Sequence, residues 1–369
     1  MIPVFKPSYD EEELRALREP FSTGWVGLGP KTREFENRFA EFIGAKHAVG
    51  VNSATAGLHL ALKVMDVEGG EVITTPLTFV STNMAILYNG AVPVFADIER
   101  DTLNIDVGEI EKRITKKTRA VVVMHYGGHA CDMDPIMELA RDRGIRAIED
   151  AAHACGGQYK GRMLGSIGDI GCFSFHAVKN LATGDGGMIT LDNEEHDSRL
   201  RKLRWMGISK DTWNRSEIDD KYSWSYTVEE IGYKCHMNDI TASIGLVQLR
   251  KLERLNARRR EIVKIYNENF AGLGWFETPV EREYAKSACH NYVAKVKDRD
   301  RFIQYLQENG ISSSVHYFPN HLYELFKDYR RCLPTAESVW KSIVTLPLYP
   351  DMSQRDIDKV IETVKNFPA

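Results

Sequence analysis

The chain has 369 residues, 48 basic and 52 acidic side chains, a formal net charge of −4, and 43% hydrophobic against 27% charged residues. That near balance excludes nucleic-acid or membrane-surface binding driven by a global field, and the length exceeds what one hydrophobic core usually serves. The six cysteines show no CxxC pair and no metal-ligand motif stands out, so the expectation is reduced thiols, no metal and a cytoplasmic location. The start, Met1-Ile-Pro-Val-Phe-Lys6, lacks the apolar core of a signal peptide, and no apolar run approaches spanning length.

In chain order, Thr32 to Ile43 carries Phe35, Phe39 and Phe42 at helical spacing and stops at Gly44. His47 to Val51 is a short apolar run, followed by a helix through Leu58, Leu60, Leu62 and Met65. Glu71 to Thr75, Val92 to Asp97, Ala120 to His125 and Arg146 to Asp150 are further predicted strands, each separated by enough chain for a helix. Strands alternating with crossovers predict a mostly parallel sheet covered on both faces. Two short runs follow, Cys172 to Phe175 and Met188 to Thr190, around a glycine-rich turn. Thr241 to Phe270 predicts one or two long helices; its run Arg258 to Arg260 reads as a solvated face, given Glu253 and Glu261 nearby. Residues 280–369 mix strand and helix. The expected fold class is α/β, with a large cofactor-binding domain over 1–250, including an N-terminal arm, and a small α+β C-terminal domain over 251–369.

Ligands in such sheets gather at the carboxyl ends of the strands, where Asn52, Thr75, His125 and Asp150 fall. Asp150 ends a buried-looking strand, and Lys179 stands downstream on the glycine-flanked turn. A lysine amine that can link to a carbonyl cofactor, with an acid for a pyridinium nitrogen, meets the basic requirement of a pyridoxal phosphate site. Asn52-Ser-Ala-Thr-Ala-Gly57 follows a strand and opens a helix: Ser53 and Thr55 supply hydroxyls and Ala54 permits close approach, which suits a phosphate and equally suits an ordinary helix cap.

Ile148-Glu-Asp-Ala-Ala-His-Ala-Cys-Gly156 followed by Phe173-Ser-Phe-His-Ala-Val-Lys179 resembles the DegT–StrS family of nucleotide-sugar aminotransferases. The resemblance extends from Ser22-Thr-Gly-Trp25 through Thr78-Phe-Val-Ser81, His125-Tyr-Gly127 and Met237-Asn-Asp-Ile240 to His316-Tyr-Phe-Pro319 and Leu346-Pro347. It implies the aspartate-aminotransferase-like arrangement, fold type I, with pyridoxal 5'-phosphate as cofactor. In that reading Lys179 is the nucleophile and proton carrier, and Asp150 keeps the ring nitrogen protonated. Ser53, Ala54, Thr55 and Ser174 meet the phosphate, Phe79 lies against the ring, and His153 stands beside the phenolic oxygen. A lysine at 179, where some dehydratase relatives have histidine, favours aminotransfer.

The resemblance further implies a homodimer with composite active sites, in which the Gly232–His236 loop reaches the partner's phosphate. Here the chain departs from the family: Lys234-Cys-His-Met237 replaces the usual Asn-x-Arg-Met, although Lys234 and His236 keep donors. Gly128-His129-Ala130 stands where a proline is common. The implied reaction moves an amino group from glutamate, leaving 2-oxoglutarate, to a nucleotide-linked keto-deoxy sugar. Ser174-Phe-His176 favours carbon 4. The alternatives are carbon 3, a keto-cyclitol, or a non-enzymatic sensor, which intact Lys179, Asp150 and Ser174 weigh against.

Overall fold

The computed structural model describes residues 1–209 and 225–369. Its strands in chain order are β1 His47–Val51, β2 Glu71–Thr74, β3 Val92–Phe95, β4 Thr118–Met124, β5 Arg146–Asp150, β6 Gln158–Tyr159 and β7 Arg162–Met163. They continue with β8 Ile170–Ser174, β9 Gly187–Leu191, β10 Phe276–Glu277, β11 Ala285–Lys286, β12 Tyr292–Val296 and β13 Ile343–Leu346. Seven of them form the main sheet in the order β1-β9-β8-β5-β4-β2-β3. β3, β2, β4, β5 and β8 run parallel, whereas β9 is antiparallel to both of its neighbours, β8 and β1.

Both faces of this sheet are covered, as a parallel sheet requires. Ala147 and Phe173 face one core with Phe35 and Phe39; their neighbours Ile148 and Cys172 face the other, with Leu58 and Leu62. The helix Pro30–Ile43 begins with proline at its first turn and stops at Gly44, whose φ of 79° is left-handed. Its Phe39 meets Phe173 edge-on at 5.0 Å, which pins the helix against β8.

The long helical pattern is one helix of 32 residues, Asp239–Phe270. Asn238 caps it by accepting from the Thr241 amide at 2.9 Å. Asp239 accepts from the Gly29, Lys31 and Thr32 amides, tying this helix start to the start of Pro30–Ile43. Leu252 packs into the core beneath the main sheet, and Ile262, Tyr266 and Phe270 into a second core with β12 and β13. The chain start joins that second core: Ile2 exchanges backbone hydrogen bonds with Gly310 and Ser312.

Arg258 to Arg260 is not a uniformly solvated face. Arg258 pairs with Glu261 and Arg260 with Glu281, each at 2.7 Å, but Arg259 is only 4% exposed. Helical spacing explains the correction: Leu252, Leu255, Arg259, Ile262 and Tyr266 share one buried stripe. His129, in the Gly128-His129-Ala130 departure from the family pattern, has a structural role. Its Nε2 accepts from the Arg282 amide at 3.0 Å and its Nδ1 donates to the Ala130 carbonyl at 2.8 Å, tying the turn after β4 to the C-terminal part of the chain.

Candidate active site

The carboxyl ends of β4, β5 and β8 open into a cavity of about 350 Å³. Asp150, the last residue of β5, is 3% exposed. Its Oδ2 accepts from Thr82 Oγ1 at 2.7 Å and its Oδ1 from the Ala152 amide at 3.1 Å. Thr82 lies one helical turn after Thr78, and their hydroxyls are 2.8 Å apart. Burial raises the Asp150 carboxyl above its ordinary value, against the Thr82 and Ala152 hydrogen bonds and the charge of Lys179. Lys179 also lines the cavity; burial brings its amine down to about 8, with the Asp150 charge opposing. A lysine so shifted has about a tenth of its amine neutral at pH 7, far more than an ordinary lysine, and the neutral amine is the nucleophile.

Ser53, Ala54 and Thr55 line the same cavity at the start of the helix Ala54–Val64. Ser53 is the cap, its Oγ accepting from the Ala56 amide at 3.1 Å. A helix start offers free amides to an anion, and β9 runs directly beneath this one. A side chain at Gly187 would place its Cβ 2.7 Å from the Ser53 carbonyl carbon and 2.8 Å from the Ala54 nitrogen. Glycine is required there for β9 to pass. Ser174, at the end of β8, completes the wall of this cradle.

His153 stands between Tyr317 and His290. Its Nε2 is 2.9 Å from Tyr317 Oη, and its ring is 4.3 Å from that of His290. Its Nδ1 is buried and finds no partner among the described residues. Phe79 is 57% exposed at the cavity edge, a large apolar face left open. These features fit pyridoxal phosphate: an anion cradle, a buried carboxylate, an unpaired ring nitrogen, an open aromatic face and a low-pKa amine share one cavity. Among the described residues no group of three or more His, Cys, Asp and Glu side chains is placed to hold a metal.

The cavity therefore collects Ser53, Ala54, Thr55, Phe79, Asp150, His153, Ser174 and Lys179. It does not collect Lys234 and His236. Lys234 Nζ sits 3.1 Å from the centre of the Trp205 ring, and the His236 ring is 4.3 Å from the same indole. Their segment lies beside β1, where the Asn52 amide donates to the Cys235 carbonyl at 2.8 Å. Several groups that shape the site have no role evident from the sequence. Thr82 was within reach, being four residues after Thr78 at the start of a helix. Phe5 and His290, stacked at 5.4 Å with 6° between their rings, are far apart in the chain and carry no local signal.

This sheet order, the cavity at its carboxyl edge and the lysine–aspartate pair define a fold type I aminotransferase architecture. The chain belongs to the DegT/DnrJ/EryC1/StrS aminotransferase family, which it matches over residues 7–365. It is 45% identical over 378 residues to the spore coat polysaccharide biosynthesis protein SpsC of Bacillus subtilis, covering 99% of this chain and 97% of that protein. Among solved structures it resembles the aminotransferase TlmJ of Streptoalloteichus hindustanus, with 36% identity, a TM-score of 0.93, and 99% and 98% of the two chains covered. A Streptococcus pneumoniae protein provisionally designated a sugar aminotransferase, solved in its PLP form, is 34% identical with a TM-score of 0.92, covering 99% and 97%. The protein is thus an enzyme, an aminotransferase whose cofactor is pyridoxal phosphate.

Proposed function

We propose that the protein is a sugar aminotransferase that moves the amino group of glutamate to carbon 4 of a nucleotide-linked keto-deoxy sugar. The observation that carries the reading is the placement of the Lys179 amine and the buried Asp150 carboxylate in one cavity. Bound pyridoxal phosphate supplies a reactive carbonyl carbon and an electron-withdrawing ring. Asp150 holds the proton on the ring nitrogen, because an opposite charge a few ångströms away favours the charged form. Lys179 Nζ takes and returns the proton at the substrate carbon that bears nitrogen. Ser174, Ser53, Thr55 and the helix-start amides bind the phosphate, and Phe79 covers the ring face.

The sugar as substrate is supported by the likeness to SpsC and to sugar aminotransferases, and carbon 4 by Ser174-Phe-His176. The working enzyme in this reading is a homodimer with composite sites. Lys179 is the single Lys or Arg among the described cavity residues, whereas a nucleotide diphosphate and a dicarboxylate donor call for further cations. Lys234 and His236, outside the cavity of their own chain, are candidates to serve the partner's. A cytoplasmic location is consistent with the cysteines, none of which is paired among the described residues. No helix among the described residues is long and apolar enough to cross a membrane.

The test is a panel of nucleotide-linked 4-keto sugars, 3-keto sugars and free keto-cyclitols, each with glutamate, read by product mass and 2-oxoglutarate release. A 4-amino product from a nucleotide-linked substrate is expected. Product from the 3-keto sugars or cyclitols alone would overturn the substrate assignment, and no 2-oxoglutarate with any acceptor would overturn the donor.

A further inference from the structure

Among the described residues that line the cavity, His153 Nδ1 is the one buried side-chain nitrogen or oxygen without a hydrogen-bond partner. Its partner nitrogen Nε2 faces Tyr317 Oη at 2.9 Å, with the two rings 28° from parallel. Burial and then the charges of Lys179 and His316 hold the His153 imidazole well below its ordinary pKa, so the ring carries one proton. Which nitrogen carries it depends on the direction of the Tyr317 hydrogen bond. Burial and then the charge of Asp150 raise the Tyr317 phenol, which keeps its proton and can donate it in a hydrogen bond.

His290 and His316, which line the same cavity, each have Nδ1 engaged elsewhere. His290 Nδ1 pairs with Asn180 Oδ1 at 3.0 Å, and the Asn180 amide nitrogen donates to Asn256 and Ala288, which fixes that oxygen as the acceptor. His316 Nδ1 pairs with Thr345 Oγ1 at 2.8 Å. In pyridoxal phosphate the phenolic oxygen is on the carbon next to the one bearing the aldehyde. With the aldehyde at Lys179 and the ring nitrogen at Asp150, that oxygen would lie to one side of the line between them, and the phosphate arm, at the Ser53–Thr55 cradle, to the other. His153, three residues beyond Asp150 and within electrostatic reach of Lys179, lines the same cavity with its unpartnered Nδ1 buried there.

We propose that Tyr317 is a positioning residue: its hydroxyl donates to His153 Nε2, fixing the imidazole proton on Nδ1, from which it is donated to the phenolic oxygen of the cofactor. The proposal rests on the cofactor placement above and adds to it a residue that does not touch the cofactor through this bond. A donor aimed at that oxygen favours its ionised form.

The direct test is ¹⁵N NMR of the cofactor-loaded wild-type protein labelled at the histidine imidazole nitrogens, with His153 assigned by His153→Gln. His153 is expected as the Nδ1-protonated tautomer. The second measurement is the pH titration of the bound cofactor's visible absorbance. Tyr317→Phe should raise its pKa by about one unit, a tenfold change in proton affinity. In a His153→Gln background the same substitution should leave that pKa unchanged, because an amide donor has no tautomer to select. An Nε2-protonated His153 in the loaded wild type, or equal shifts in both backgrounds, overturns the role of Tyr317 while normal cofactor absorbance leaves the site reading intact. Wild-type protein that takes up no cofactor overturns the site reading itself.

Discussion

Glu149 and Asp150 are consecutive on β5, point to opposite faces of the sheet and are both almost fully buried, yet their surroundings differ in kind. Glu149 accepts from the Gly165, Ile167 and Gly168 amides at 2.8, 2.7 and 2.7 Å. It also meets His125 Nε2 at 2.9 Å. Because His125 Nδ1 accepts from the Cys131 amide, the ring proton is on Nε2 and is donated to Glu149. Burial pushes the Glu149 carboxyl up, but these hydrogen bonds outweigh it and leave it below its ordinary value. Asp150 has only Thr82 and Ala152, and burial wins. One carboxylate is fully satisfied by the protein and holds a loop. The other is left under-satisfied in a cavity, the condition in which a cationic ligand gains most.

The two acids therefore contribute to stability with opposite signs. A lowered carboxyl stabilises the fold above its unfolded pKa, and that contribution is lost as pH falls through the folded value. A raised carboxyl does the reverse: its burial as the charged form costs stability as pH rises from the unfolded to the folded value. Strained or under-satisfied groups concentrate where a protein binds or reacts.

The largest effect belongs to the cavity side. Lys179→Ala is expected to take steady-state amino transfer below detection and to leave circular dichroism unchanged. Removing an amine whose charged form is disfavoured by burial should not lower the thermal midpoint of the cofactor-free protein. Turnover near the wild-type rate would break the comparison at its chemical end. The smaller effect on rate belongs to the loop side. Glu149→Gln is expected to cost about 2–4 kcal/mol in urea unfolding, while turnover per folded, cofactor-loaded molecule stays within about threefold, a difference of under 1 kcal/mol in barrier. The stability deficit should shrink on acidification, as the wild-type carboxylate loses its own contribution. Unchanged stability with a large loss of turnover would assign Glu149 to the chemistry.

Much of this was legible in the residues. The phenylalanine spacing and Gly44 marked the helix Pro30–Ile43, and the apolar run ending in Asp150 marked β5, because both signals lie within one element. Lys179 and the Ser53–Thr55 helix start were legible for the same reason. What local patterns did not show depends on long-range contact. Arg259 looks solvated beside its charged neighbours, and only the stripe it shares with Leu252 and Ile262 explains its burial. The contrast between Glu149 and Asp150 is decided by amides of the 165–168 loop and by Thr82, far from both in sequence. The Tyr317–His153 pair joins residues 164 positions apart, and nothing local to either signals the contact.

The central claim is that Asp150, not its neighbour, holds the charge the chemistry needs. Its most direct test is the single-turnover rate of the glutamate half-reaction in cofactor-loaded Asp150→Asn, with cofactor content checked by absorbance. The account predicts retained cofactor and a rate lowered by about 10³-fold or more, roughly 4 kcal/mol of barrier. A loss of about tenfold or less, some 1.4 kcal/mol, with cofactor fully bound, would contradict it and leave Asp150 as a buried helix-start acceptor.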